Sequence, residues 1–138
     1  MTDQISTVLL YSDDPDVRDR MRLAIGPRPA ADLAVQFVEA GTYDECIRLL
    51  DGTDVDLMLL DGEASPGGGL GIARQVRDEY DDVPPVVVTV ARAADNWLAA
   101  YAKVDAVIRL PMDPIVTGQT VAGLLRDRSA DGGAALPA

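Results

Sequence analysis

The chain has 138 residues and is 48% apolar, the size and composition of one domain with its own core. Its formal charge is −11, from 23 acidic and 12 basic residues, which argues against nucleic-acid binding and points to another protein as partner. There is no histidine and a single cysteine, Cys46, which excludes histidine-based catalysis, histidine metal sites and an internal disulfide, and fits a reducing cytoplasm.

Short apolar runs alternate with amphipathic stretches along the chain. Residues 7–11 (TVLLY) read as a buried strand leading into Ser12, Asp13 and Asp14. Pro15 suits a first helical turn that Asp14 can cap, with Val17, Met21 and either Ala24 or Ile25 at helical spacing. Gly26, Pro27 and Pro29 stop that helix. Residues 35–39 (VQFVE) alternate as a second strand, and Thr42 with Glu45 forms a capping box for a helix that ends at Gly52. Residues 55–60 (VDLMLL) are a third strand with Asp61 at its carboxyl end. The turn-rich loop 62–69 (GEASPGGG) precedes a helix over 70–80. Its glycines lack the Lys-Ser/Thr of a nucleotide-binding loop, so a flexible connection is expected. Residues 85–90 (PVVVTV) form the most apolar strand, expected near the centre of a parallel sheet. A short Ala-rich helix over 96–103, a strand over 106–110 (AVIRL) and a last helix from Asp113 and Pro114 to about Arg128 complete the series. Residues 129–138 (SADGGAALPA) read as a disordered tail after a domain over 1–128. No run of about 18 or more apolar residues occurs, so direct membrane insertion is not expected. The N-terminal MTDQISTVLL also lacks the basic region of a signal peptide.

A strand followed by a helix, five times over, implies an α/β fold with a doubly wound parallel five-stranded sheet. In such sheets the site lies at the carboxyl ends of the strands, where Asp13 and Asp61 fall. Two acids on neighbouring strand ends can share a hard cation such as magnesium. A bound cation would let one carboxylate attack a phosphoryl group, by screening charges that otherwise repel. An aspartate after a strand more often only caps a helix or turns a loop.

The segments TVLLYSDDPDVR, DLMLLDGEASPGGGL, PPVVVTVA and AVIRLPMDP, spread over residues 5–128, resemble the receiver domain of bacterial response regulators, the CheY type. The resemblance implies a flavodoxin-like strand order of 2-1-3-4-5. It places Asp61 where an aspartate takes phosphate from a histidine kinase. It also implies an acid pair after the first strand for magnesium, a Thr or Ser after the fourth strand, and a Lys after the fifth to read the phosphoryl group out. Here the acid pair falls on Ser12 and Asp13, the hydroxyl position on Val90, the aromatic switch position on Val107 and the Lys position on Leu110. Thr89 is adjacent to Val90, but strand alternation turns it to the other face. The family's Pro after the acceptor falls on Ser65, with Pro66 one residue later, and the segment 91–111 is shortened.

Asp13, Asp61 and Glu63 are therefore candidate ligands for weakly bound magnesium, with no other cofactor expected. Without the lysine, a charge-assisted contact worth roughly 1.5–3 kcal/mol is missing. Without the hydroxyl, a phosphoryl group has little leverage on the fourth-strand loop. Trp97 and Tyr101, one helical turn apart, either cover the sheet edge or anchor a partner. The usual docking face of receiver domains places a protein interface at Trp97, Tyr101, Arg109 and the last helix. The leading expectation is a non-enzymatic docking module that works independently of phosphorylation. One alternative is a magnesium-dependent phosphoacceptor on Asp61, served by a histidine kinase. Another is an accessory subunit held at the membrane through a partner complex, since the chain's overall character resembles an orphan receiver-like protein associated with respiratory NADH dehydrogenase (complex I).

Overall fold

A computed structural model describes residues 5–62, 68–80, 82–91 and 104–135. Its strands are β1 (Ile5–Tyr11), β2 (Ala34–Ala40), β3 (Leu57–Asp61), β4 (Val86–Val90) and β5 (Ala106–Arg109). Its helices are α1 (Pro15–Ile25), α2 (Tyr43–Gly52), α3 (Gly68–Glu79) and α4 (Pro114–Ala135). All strand pairs are parallel, and the order across the sheet is β2-β1-β3-β4-β5, as the resemblance implies. The helix expected over 96–103, with Trp97 and Tyr101, lies outside the described residues.

Every residue of β3 and β4 is buried, which explains why those segments read as unbroken apolar runs. Alternation along the strands divides the core in two. On one face Leu9, Tyr11, Met58, Leu60, Val86, Val88 and Val90 meet Cys46 of α2 and Ile72, Ala73 and Val76 of α3. On the other, Val8, Leu10, Leu57, Leu59 and Val87 meet Met21 and Ile25 of α1 and Val121 and Leu125 of α4.

The helix starts follow local chemistry. Asp14 accepts the Asp16 N–H at 2.9 Å and Pro15 opens α1, while Gly26 closes it at a φ of +73°. Thr42 Oγ1 accepts the Glu45 N–H at 3.1 Å at the start of α2. Glu45 reaches back to the N–H of Gly41 at 3.1 Å, one residue short of the cap itself. Arg18 and Arg22 of α1 both pair with Glu39 of β2, and Arg22 also with Asp19. The last helix passes Arg128, where the sequence pattern ends it.

Candidate functional site

Asp61 is the last residue of β3 and Ser12 the first after β1, so the two side by side close the carboxyl edge of the sheet. Both side chains are buried, and Ser12 Oγ donates to Asp61 Oδ2 at 2.8 Å. Ser12 is itself held on all sides. Its Oγ accepts the Asp14 N–H at 3.1 Å, its N–H donates to Ala40 O at 3.3 Å, and its carbonyl accepts Arg18 Nη1 at 2.9 Å. The hydroxyl aimed at Asp61 is thus fixed by β2, the α1 cap and an α1 guanidinium together.

The backbone after Asp61 is equally constrained. The Gly62 N–H donates to Thr89 O at 2.9 Å. A Cβ at Gly62 would lie 2.4 Å from that same carbonyl oxygen, so only glycine fits against β4 here. Thr89 pairs in register with Asp61. It is fully buried, and its Oγ1 has no hydrogen-bond partner among the described residues. Alternation does turn Thr89 away from Val90, and the face it joins, that of Val87, is the one Asp61 shares with Leu57 and Leu59.

The remaining expected positions separate. Asp13 is exposed, and Glu63 lies outside the described residues. Val90 is buried in the α2–α3 core, and Val107 packs half-buried against the same core. Arg109 is exposed at the end of β5. Leu110 is half-buried and joined to Pro111 by a cis peptide bond. Together with Asp61 it lines a groove of about 590 Å³ between α1 and the β5–α4 junction. The carboxylates are felt next door: burial pushes the Tyr11 hydroxyl above its usual pKa, and the charges of Cys46, Asp13 and Asp61 push it further.

Beside Asp61 stands Ser12 rather than a second acid, and the remaining acid, Asp13, is exposed. The Ser12 hydroxyl donates a hydrogen bond to Asp61, the one buried carboxylate among the described residues. Among the described residues no three of Asp, Glu, His or Cys gather as a metal cluster. Sequence reasoning named Ser12 only as a lost acid and missed that its hydroxyl bonds Asp61. It also missed the groove. Its one legible trace was Leu23, an apolar residue off the buried stripe of the first helix.

No family model matches the chain. An uncharacterized response regulatory protein of Mycobacterium tuberculosis is 44% identical over 120 residues, which cover 86% of this chain and 90% of that protein. Among solved structures, the signal receiver domain of a putative LuxO repressor protein from Vibrio parahaemolyticus superposes with a TM-score of 0.81 at 13% identity, covering 96% of this chain and 98% of that one. A response regulator from Thermotoga maritima, solved in complex with magnesium and beryllofluoride, gives 0.72 at 18% identity over 86% of this chain and 98% of that one.

Proposed function

This chain belongs to the response-regulator receiver family, and we propose that within it the protein acts by docking onto another protein without needing phosphorylation at Asp61. The observation that carries this reading is the 2.8 Å hydrogen bond from Ser12 to Asp61. It gives one carboxylate oxygen a neutral partner at the position of the family's first acid. A phosphoryl group on Asp61 would have a neutral hydroxyl beside it where the resemblance implies an acid that helps to hold magnesium. It would also meet Leu110 rather than an ammonium. The residue at the readout position, Val90, is locked in the opposite half of the core with no polar atom to offer. A ligand moves a conformational equilibrium only through contacts that differ between the two states, and these contacts are missing.

The test is a titration with magnesium and then beryllofluoride, a phosphoryl mimic, followed by amide NMR shifts. The expected outcome is no saturable shift at Asp13, Asp61 or β4 up to millimolar magnesium. Saturable shifts spreading from Asp61 to β4 would replace this reading with a magnesium-dependent phosphoacceptor in a histidine-kinase relay.

A further inference from the structure

A cavity opens at the amino end of the sheet, opposite the edge that carries Asp61. It spans about 580 Å³ between the last turn of α3, the starts of β4 and β5, and the second half of α4. Val83, Pro85 and Leu124 supply its apolar surface, and Arg77 and Arg128 its cations. Neither guanidinium is saturated. Arg77 reaches Asp105 Oδ2 through Nη2 at 2.6 Å, but its Nε is buried with no hydrogen-bond partner among the described residues. A buried donor without an acceptor carries a desolvation cost that an acceptor in the cavity would remove. Among the described residues Arg128 pairs only with Asp82, at 4.0 Å, and the Asp82 side chain is 90% exposed. An ion pair that long and that open to water holds its partners weakly. The acid held firmly is Asp105, whose Oδ2 also accepts the Val86 N–H at 2.7 Å and is thereby committed to the start of β4. Asp82 and Asp127 stand exposed at the rim.

We propose that this cavity binds a small organic carboxylate, with its anionic end on Arg77 and Arg128 and its body against Val83, Pro85 and Leu124. Asp105 neutralises one of the two half-buried cations, so a single negative charge balances the other. Guanidinium donors lie in a plane and match the two coplanar oxygens of a carboxylate. A doubly charged phosphate would bring surplus negative charge against Asp82 and Asp127 at the rim and is disfavoured. The volume and the apolar surface suit a molecule with a short apolar body rather than a bare ion. Asp61 takes no part, so this site is independent of how the opposite edge of the sheet is used.

The experiment titrates the full chain with benzoate, benzamide and inorganic phosphate at neutral pH and constant ionic strength, followed by amide NMR. Benzamide keeps the shape of benzoate without its charge. Benzoate is expected to shift Arg77, Val83, Asp105, Leu124 and Arg128 saturably, to leave Asp61 unmoved, and to bind about tenfold more tightly than benzamide. Phosphate is expected to bind more weakly than benzoate. Arg128→Gln, at a loosely paired side chain, should keep the urea midpoint of the parent and lose most of the benzoate advantage. Arg77→Lys keeps a cation within reach of Asp105 but removes the Nε donor, and should weaken benzoate while leaving benzamide unchanged. Equal affinity for benzoate and benzamide would overturn the proposal, and so would a benzoate advantage that survives both substitutions. Phosphate binding as tight as that of benzoate would overturn the choice of a carboxylate. The absence of any saturable shift with benzoate would remove the site itself.

Discussion

Two buried hydroxyls at the carboxyl edge of the sheet are in opposite situations. Ser12 Oγ is engaged as donor and acceptor, whereas Thr89 Oγ1 has no partner among the described residues. Removing a hydroxyl that serves a buried carboxylate costs the desolvation of what it served, so Ser12→Ala is expected to lose about 1–3 kcal/mol. Removing an unpartnered hydroxyl while keeping its shape relieves a cost, so Thr89→Val is expected to be neutral or to gain up to about 1 kcal/mol. Urea denaturation of both variants checks the pair, and a destabilised Thr89→Val would show that the hydroxyl serves Asp61. The site was half legible in the sequence for a related reason. Asp61 and the residues missing around it could be read from strand ends and spacing. What replaces them could not, because the Ser12 bond and the Thr89 register join segments far apart in the chain, and pairing of that kind is set by the sheet.

Among the elements, the two helix starts that carried explicit chemistry were legible, down to Asp14 and Thr42 as caps. Thr42→Ala is expected to lower stability by about 1 kcal/mol, read from the thermal midpoint, since it strips the Glu45 N–H of its acceptor. The strands were legible as apolar runs, but their ends were not. Asp61 belongs to β3 itself because it pairs with Thr89, and β2 extends at both ends because β1 supplies partners from Ile5 to Tyr11. The groove escaped the sequence pattern because its walls come from α1 and the β5–α4 junction, and neither run shows an apolar excess alone.

For the molecule as a whole, Cys46 is a reporter built into the core. Burial under α2 pushes its thiol up to about 12 from an ordinary value of 9.0, with Glu45 adding a smaller push. The folded chain therefore holds a proton that the unfolded chain releases near pH 9. This contribution to stability is fully present below that pH and is lost as the pH climbs towards 12. At pH 8 a thiol reagent is expected to label Cys46 only through unfolding, at a rate that rises with urea and again above pH 9. Rapid labelling in the native protein would show that α2 opens separately from the rest. The pairs of Arg18 and Arg22 with Glu39 act at this same scale, because they join α1 to the far edge of the sheet. The wall that α1 gives the groove is in place before any partner arrives. On that side the ordering on contact falls on the incoming segment, so variants of one partner that keep its charge should arrive at similar rates and differ mainly in how long they stay.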